Sequence, residues 1–332
     1  MKNLAIIGAG SWGTALAVVL SQRFSQVRLW VHEGDLAVRI RESRINNLYL
    51  PDVALPPNIN PTNDICEALE GAQIVLSVVP SHVVRATYQR MLPFLTEEMI
   101  FVSATKGLEN DTLLRMSKVM TEVMQERFTA RTAVLSGPSF AREVAALQPT
   151  ALVAASTDPW VAGCVQTAFS GPTFRVYASH DPTGVEIGGS IKNVIAIGAG
   201  ALHGLGLGNN AMAALITRGL AEMTRLAVAM GGKPQTMAGL AGLGDLVLTC
   251  HGELSRNRTV GIELAKGRRL EEIVNSMRMV AEGVKTTNAA VDLAKRYSEE
   301  MPIAQQMYQM LHYGTSPKDA VRALMERSLK GE

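Results

Sequence analysis

Apolar residues in the first 180 positions of the chain occur in short runs, with helical patterns between several of them. Seven runs have the length and composition of buried strands, at 4–7, 27–31, 74–79, 100–104, 132–135, 151–155 and 174–177. The stretches 14–20 and 112–128 have apolar residues at helical spacing. Continuous apolar strands separated by helices are typical of a mostly parallel sheet covered on both faces. We therefore predict a doubly wound α/β domain here.

The pattern changes after a turn cluster at His180-Asp181-Pro182. Strand-like runs nearly vanish, and Ala, Met and Leu recur at helical spacing, as in 212–230 and 284–297. A chain of 332 residues also exceeds the usual size of one hydrophobic core. The sequence predicts two domains, an α/β domain over residues 1–181 and an all-α domain over residues 182–332.

Composition narrows the classes of function. The chain is 47% hydrophobic and 19% charged, and its formal net charge of +2 argues against a nucleic-acid partner. No run reaches the roughly 18 uncharged apolar residues of a membrane span, so we expect no membrane insertion. Cys66, Cys164 and Cys250 are widely separated and lack C-x-x-C spacing. They predict reduced thiols in a cytoplasm, with neither disulfides nor a metal site.

Three glycines follow the first strand-like run. Gly8, Gly10 and Gly13 have the G-x-G-x-x-G spacing of a dinucleotide site, between a strand and a helix. Gly8 would turn the chain, Gly10 would let the backbone approach a pyrophosphate, and Gly13 would let the helix pack on the strand. The helix N-terminus would offer N–H groups and positive dipole to the phosphates. A tight structural turn is the alternative interpretation, and the strand–turn–helix setting favours the nucleotide site.

Polar residues follow three of the predicted strands, where a doubly wound sheet binds its ligands. They are Pro80-Ser81-His82, Thr105-Lys106-Gly107 and the stretch Ser136-Gly137-Pro138-Ser139-Phe140-Ala141-Arg142-Glu143. Lys106 directly after a strand is either a ligand for an anion or a surface residue. Ser139 could be no more than a helix N-cap, which would still place helix amides at the crevice.

Two further candidates lie in the helical half. Lys192 is surrounded by small and apolar residues, and burial would lower its pKa toward the range useful for proton transfer. A lysine that reaches solvent from a helix edge is the alternative. Asp245 also lies among small and apolar residues, and if buried it needs a partner, for which a lysine is the natural choice.

A helix predicted to begin after Ser255 and to stop at Gly267 points to the ligand. Arg256 and Asn257 would then lie in its first turn, where the helix dipole already disfavours a cation. A cation at this place makes sense if an anion such as phosphate binds there. This placement is the best indication in the residues themselves that the substrate carries an anionic group such as phosphate.

With these residues in hand, the chain resembles the bacterial-type NAD(P)-dependent glycerol-3-phosphate dehydrogenases from end to end. The resemblance rests on the following motifs: GAGSWGTALA at 8–17, SATKGLE at 103–109, LSGPSFAREV at 135–144, GGSIKNVIAIGAG at 188–200, AGLGDLVLTC at 241–250, SRNR at 255–258 and VAEGVKT at 280–286. It implies a Rossmann domain followed by a helical substrate domain, usually in a homodimer. It also implies reversible reduction of dihydroxyacetone phosphate to sn-glycerol 3-phosphate with NAD or NADP, which supplies glycerophospholipid synthesis.

The resemblance assigns roles by position. The residues it places at the cofactor are Gly8, Gly10, Ser11, Trp12, Gly13, His32, Lys106, Ala141, Arg256, Val280 and Glu282. Those it places at the substrate are Lys106, Gly137, Ser139, Lys192, Asp245, Ser255, Arg256 and Asn257. Lys192 would exchange the proton, with Lys106 and Asp245 in the same polar network. The role of Val280 and Glu282 follows from the resemblance alone.

The residues argue against two alternative functions. A β-hydroxyacid dehydrogenase would have a Lys-x-x-x-Asn pattern, but the fourth residue after Lys192 is Ala196. A non-catalytic dinucleotide sensor would need neither a proton donor nor a phosphate site.

His32 stands where the family often has arginine, and Glu33 follows it. This pair leaves the choice between NAD and NADP open.

Overall fold

The computed structural model describes residues 2–277, 280–329 and 331. Strands account for much of the first half of this part of the chain. Their bounds are β1 Asn3–Ile7, β2 Gln26–Trp30, β3 Ile45–Asn46, β4 Leu50–Ala54, β5 Ile59–Thr62, β6 Ile74–Ser77, β7 Ile100–Ser103, β8 Arg131–Ser136, β9 Thr150–Ala155 and β10 Phe174–Ser179.

The helices of the first half cover both faces of the sheet. They are α1 Ser11–Leu20, α2 Gly34–Ser43, α3 Ile65–Leu69, α4 Val84–Met91, α5 Met116–Met124, α6 Ala141–Ala145 and α7 Pro159–Phe169, with short 3-10 turns at Ser81–Val83 and Leu92–Phe94.

Helices alone make up the rest of the described chain. They are α8 Pro182–Gly204, α9 Asn209–Ala229, α10 Pro234–Met237, a π-type turn Leu240–Gly244, α11 Asp245–His251, α12 Arg256–Ala265, α13 Leu270–Ser276, α14 Glu282–Tyr297, α15 Pro302–Tyr313 and α16 Pro317–Met325.

Eight strands form one sheet in the order β10-β9-β8-β7-β6-β1-β2-β5. Neighbours are parallel except β8 and β9, which pair antiparallel from Val134–Ala155 to Ser136–Val153. The chain runs outward from β1 in one direction through β2 and β5, and in the other from β6 onward. The crevice at the carboxyl ends of β1 and β6 is therefore the switch point at which such sheets bind ligands.

Apolar side chains of alternate residues in the central strands pack on opposite faces of the sheet. Ile6 and Leu76 belong to the cluster that includes α1, α2 and α7, whereas Ile7 and Val75 belong to the cluster that includes α4 and α5. A third cluster fills the helical half around α8. These clusters fix the strand ends, and with them the residues that follow each strand.

Helix α8 lies at the centre of the helical half. It contacts α9, α11, α12, α14 and α15, and its residues 184–202 are all buried. By length and composition alone, it is the one helix of the described residues able to cross a membrane. Every residue in the most apolar 18-residue stretch of this helix is buried inside the protein, which is typical of a core helix.

The predicted fold class is confirmed, and all seven predicted strands are present. The helix predicted over 112–128 is wrong at both ends, because α5 covers only Met116–Met124. Leu113 has a left-handed backbone with φ of 61°, and Leu108 forms a β-bridge with Arg115. The pattern in this loop reflects tertiary packing, since Leu108 and Leu113 join the core of the helical half. The short strands β3, β4 and β5 were missed because none of them contains a continuous apolar run of strand length.

Candidate active site

The glycine turn after β1 has the geometry predicted from its spacing. Gly8 has φ of 116°, which L-residues rarely adopt. A Cβ on Gly13 would lie 1.8 Å from the Gly8 carbonyl oxygen, so the start of α1 packs directly on the turn. A Cβ on Gly10 would meet no atom within 4 Å. Open space therefore lies beside Gly10, where a pyrophosphate would approach.

The surrounding residues fit a bound dinucleotide. Helix α1 begins at Ser11 with no acidic residue in its first turn, which leaves its positive end free to bind an anion. The indole N–H of Trp12 is buried without a hydrogen-bond partner in the described structure. Buried donors are normally paired, so an acceptor from a ligand would complete this one. Ser11 donates to the carbonyl oxygen of Tyr49 at 2.7 Å.

The end of β2 lies on the other side of this turn. His32 is exposed, and its ring contacts Trp30 edge-on with 5.7 Å between centroids. Glu33 accepts a hydrogen bond from the Tyr49 hydroxyl at 3.1 Å. Desolvation and the Glu33 carboxylate together raise the pKa of Tyr49, so its phenol stays protonated and keeps donating. Tyr49 thus connects the glycine turn to the carboxylate after β2.

Two lysines share one buried carboxylate at the carboxyl end of β7. Lys106 donates to Oδ2 of Asp245 at 2.8 Å, and Lys192 donates to Oδ1. Asp245 is completely buried, and the side chains of Lys106 and Lys192 are 18% and 6% exposed. The predicted pairing of Asp245 with a lysine is confirmed, and the structure supplies two.

Close packing between helices brings together Lys106, Lys192 and Asp245, which form a triad. A Cβ on Gly188 would lie 2.5 Å from the carbonyl oxygen of Ala241, so α8 touches the π-type turn that leads into Asp245. Thr249, one turn after Asp245, accepts from Lys192 at 2.8 Å and donates to the Asp245 carbonyl at 2.6 Å. This threonine was missed, although its spacing of four from Asp245 places both on one helix face.

The environment of Lys192 lowers the pKa of its ammonium to about 7. Burial is the largest cause, because it removes solvation from the charged form. The Asp245 carboxylate opposes this change, while the positive charge of Lys106 adds to it. Lys192 can therefore give up or take a proton near neutral pH, as a general acid or base requires.

The segment after β8 borders the triad. Lys106 also donates to the Gly137 carbonyl at 3.0 Å, and Ser139 donates to the same oxygen at 2.9 Å. Ser139 is not the N-cap of α6, because Phe140 occupies that position and Ala141 begins the helix. The Ser139 hydroxyl lies 3.4 Å from the Lys106 ammonium. This places it beside the triad, and the capping alternative is wrong.

The start of α12 has the predicted capping. Ser255 is its N-cap and accepts from the Arg258 N–H at 3.3 Å. Arg256 is the first helical residue, and its guanidinium donates to the Val280 carbonyl at 2.7 Å. The Asn257 side chain donates to Asn193 at 3.0 Å and accepts from the Gly283 N–H at 2.9 Å. Backbone N–H groups of this first turn remain suited to a phosphate.

Glu282 connects the start of α14 to the segment after β6. Its carboxylate accepts from the Ser81 hydroxyl at 2.8 Å and from the Ser81 N–H at 3.3 Å. A Cβ on Gly107 would lie 3.3 Å from the same carboxylate. Ser81 belongs to a polar cluster singled out in the sequence, but its partner, 201 residues away, could not be inferred from local pattern.

Most of the predicted site residues fall into three connected groups. One joins Lys106, Lys192 and Asp245 to Gly137 and Ser139 by hydrogen bonds. The second group lies at the start of α12, where Asn257 donates to Asn193, the neighbour of Lys192, and Arg256 donates to Val280. The glycine turn and the His32–Glu33 end form the third group, joined through Tyr49. Among the described residues, no cluster of three or more His, Cys, Asp or Glu side chains could hold a metal ion.

Comparisons with known proteins agree with this geometry. The family model for the N-terminus of NAD-dependent glycerol-3-phosphate dehydrogenase matches residues 3–162, and the model for its C-terminus matches residues 181–322. A glycerol-3-phosphate dehydrogenase (NAD(P)+) of Koribacter versatilis is 57% identical, with 98% of each chain covered. One from Citrifermentans bemidjiense is 55% identical over 100% of this chain and 99% of the relative.

A solved structure shows the same architecture. The crystal structure of glycerol-3-phosphate dehydrogenase from Coxiella burnetii superposes with a TM-score of 0.94 at 41% identity, covering 98% of this chain and 99% of that one. Matched family models and relatives of this identity along nearly the whole chain decide against the β-hydroxyacid dehydrogenase and sensor alternatives. The chain belongs to the NAD-dependent glycerol-3-phosphate dehydrogenase family.

Proposed function

We propose that the chain catalyses the reversible, NAD(P)H-dependent reduction of dihydroxyacetone phosphate to sn-glycerol 3-phosphate. The observation that carries this proposal is the pair of lysines on one buried carboxylate, at the sheet edge that also holds the glycine turn. The names of its relatives agree with the reaction. Bound NADH or NADPH would supply the hydride to the carbonyl carbon of the substrate.

Lys192 acts on the carbonyl oxygen. As the carbonyl carbon is reduced, its oxygen gains negative charge, which a nearby ammonium stabilises. Lys192 then transfers a proton from Nζ to this oxygen, and the neutral amine is reprotonated from solvent. In the reverse direction, the neutral amine takes the hydroxyl proton of glycerol 3-phosphate. The pKa of about 7 lets one group serve both directions near neutral pH.

Lys106 and Asp245 support this transfer. Asp245 fixes the Lys192 side chain, since both are buried and each would be costly to leave unpaired. Lys106 is more exposed and sits beside Ser139 and the Gly137 carbonyl. We place the substrate hydroxyl and carbonyl groups against Lys106, Gly137 and Ser139.

The first turn of α12 binds the substrate phosphate. Ser255, Arg256 and Asn257 combine helix N–H groups with a guanidinium that can form two parallel bonds to phosphate oxygens. Because the Asn257 side chain already bonds Asn193 and Gly283, its backbone N–H is the group that we assign to the phosphate. Arg256 reaches Val280 and so also borders the cofactor side.

The cofactor lies along the crevice between the glycine turn and this site. Trp12 and Ala141 would contact its central part, and His32 with Glu33 its ribose at the far end. Val280 and Glu282 would border the nicotinamide, since Glu282 contacts Ser81 and lies beside Gly107. We keep the division into residues 1–181 for the cofactor and 182–332 for the substrate.

The assembly and the cellular role belong to the same proposal. We propose a cytoplasmic homodimer without membrane insertion that supplies glycerophospholipid synthesis. The three cysteines of the described chain are free, which agrees with a reducing compartment. Light scattering coupled to gel filtration measures the oligomeric state, and a monomer at micromolar concentration would refute the dimer.

A spectrophotometric assay tests the reaction. Purified protein with dihydroxyacetone phosphate should oxidise NADH or NADPH, and glycerol 3-phosphate should reduce the oxidised cofactor. Unphosphorylated dihydroxyacetone is the matched control for the phosphate site. Absence of turnover with both reduced cofactors, in protein that still binds them, would contradict the proposed function.

A further inference from the structure

The loop between β7 and α5 reaches into the helical half of the molecule. Leu108 and Leu113 are 2% and 8% exposed, and both belong to the apolar cluster that includes Ile187 and Ile191 of α8. Apolar burial of this kind resists separation of the loop from the helix. The loop begins with Lys106, so its placement also decides where that ammonium lies.

Glu186 of α8 binds the far end of the same loop. We call its bonds to Arg115 and Ser117 the clasp. Its Oε1 accepts the backbone N–H of Ser117 at 2.8 Å, and its Oε2 accepts the Ser117 hydroxyl at 2.6 Å. The Arg115 guanidinium forms an ion pair with Oε2. The side chain of Glu186 is 2% exposed and that of Arg115 is 12% exposed. Because a buried carboxylate is costly without its partners, movement of the loop would leave an unpaired buried charge.

The clasp and the proton donor lie on one rigid helix. Glu186 and Lys192 are six residues apart on α8, a rise of about 9 Å. Between them, Ser190 donates to the carbonyl oxygen of Gly107 at 3.1 Å. The helix therefore contacts the loop at both ends, once beside Lys106 and once at Arg115 and Ser117.

We propose that Glu186, through Arg115 and Ser117, is a positioning residue that holds Lys106 against the Asp245–Lys192 pair. The inference rests on the proposed function, in which Lys192 is the proton donor. Two ammonium groups on one carboxylate repel each other, and the clasp opposes the retreat of the loop that carries the more exposed of them. Glu186 itself acts through the loop and touches neither substrate nor cofactor.

Loosening the clasp has a defined electrostatic consequence. The charged and titratable groups around Lys192 are Asp245 from α11, Lys106 from the loop and Cys250 from α11. Asp245 and Cys250 belong to the helical half and stay beside Lys192 when the loop moves. Of the charged groups that face Lys192, only Lys106 moves away with the loop, so the pKa of Lys192 should rise.

The test compares Glu186→Gln with the wild type and with Glu122→Gln. Glu122 pairs with Arg85 at 2.9 Å within the α/β half, and its loss leaves the Arg85–Glu109 pair intact. For Glu186→Gln we expect kcat for dihydroxyacetone phosphate reduction to fall between about 10- and 100-fold, the scale of a misplaced catalytic group. The dissociation constant of NADH should be unchanged, and Glu122→Gln should behave as wild type.

A second measurement separates positioning from stability and from the proposed function. NMR titration of the labelled Lys192 side chain reports its pKa without any substrate, and Glu186→Gln should raise it. A kcat that falls in Glu186→Gln but stays near the wild-type value in Arg115→Lys, which keeps the ion pair, would support the clasp. If Glu186→Gln fails to fold, the same two measurements are made on Ser117→Ala, which removes the hydrogen bond from the Ser117 hydroxyl to Glu186. A folded variant with the wild-type kcat and Lys192 pKa would overturn the proposal, even if its melting temperature falls.

Discussion

Lys106 and Lys192 come from different halves of the chain and donate to opposite oxygens of the single buried carboxylate of Asp245. One ammonium is nearly buried and the other remains partly open to solvent. This arrangement gives two cations different roles, since burial makes the proton of Lys192 labile while the partly exposed Lys106 side chain stays within reach of a ligand.

Replacing Lys192 by Ala should lower kcat for reduction by roughly 10²–10⁴-fold, the usual contribution of a positioned general acid. NADH binding should persist, because the glycine turn is untouched. Fluorescence titration with NADH and steady-state assays measure the two quantities. Lys118→Ala, at an exposed position of α5, is the control. Near-normal turnover of the Lys192 variant would refute its role.

The pH dependence should reveal the pKa of Lys192. Reduction needs the protonated form, so its kcat should fall as pH rises through about 7, whereas oxidation of glycerol 3-phosphate should rise over the same range. Lys106→Met removes a repelling charge and should move this transition to higher pH. Asp245→Asn removes an attracting charge and should move it to lower pH. Shifts in the same direction for both variants would contradict this account.

Arg256 should determine the preference for a phosphorylated substrate. Arg256→Lys loses the fork-shaped donor set, so the apparent affinity for dihydroxyacetone phosphate should fall even with the charge retained. Arg256→Ala should also reduce the preference over unphosphorylated dihydroxyacetone. Arg268→Ala, at the other end of α12, is the matched control. An unchanged preference in Arg256→Ala would place the phosphate elsewhere.

Local pattern was sufficient for the elements that bury a continuous apolar run or carry a cap. The glycine turn, the strands that precede Lys106 and Gly137, and the Ser255 cap all follow from short-range rules. The burial of Lys192 could be predicted as well, because α8 offers no polar face on which a lysine could be solvated.

Contacts between distant segments could not be predicted in this way. The Glu282–Ser81 and Glu186–Ser117 bonds join residues 201 and 69 positions apart, and no period or motif relates such pairs. The loop around Leu113 looked helical because its apolar residues face another domain, where tertiary packing decides the backbone. Thr249 was within reach of the helical spacing rule, but Asp245 had to be placed on a helix first.

Cofactor choice should depend on the group around Glu33. Glu33 is held by Tyr49, and a carboxylate there favours the ribose hydroxyls of NADH and repels the 2′-phosphate of NADPH. Glu33→Gln should therefore raise the kcat/KM ratio of NADPH to NADH, and Tyr49→Phe should change the ratio less. In the wild type, both cofactors should be used, and His32→Ala should change the ratio, because His32 is exposed at the end of β2 beside Glu33. A ratio that is unchanged in His32→Ala would remove His32 from the cofactor site.

Glu222 should make stability depend on pH without touching the active site. It is 2% exposed and accepts the N–H groups of Ile303 and Ala304 at the start of α15. Burial is the main cause that raises its pKa from 4.5 to about 7, against the opposing effect of these two bonds and of nearby Arg225 and Arg327. Between pH 4.5 and about 7, Glu222 keeps a proton in the folded protein that it releases in the unfolded chain. The free energy of unfolding therefore falls as pH rises through this range and levels off above about 7.

The full effect of this change amounts to about 3 kcal/mol, since each pKa unit corresponds to about 1.4 kcal/mol. Glu222→Gln cannot titrate, and its amide oxygen can still accept from the start of α15. Urea unfolding at about pH 5 and about pH 8 should therefore show the wild type losing about 2–3 kcal/mol relative to this variant. Glu271→Gln, at an exposed carboxylate in the first turn of α13, should show no such difference. A wild-type protein whose stability relative to Glu222→Gln is the same at both pH values would show that Glu222 is already ionised in the folded state at the lower pH.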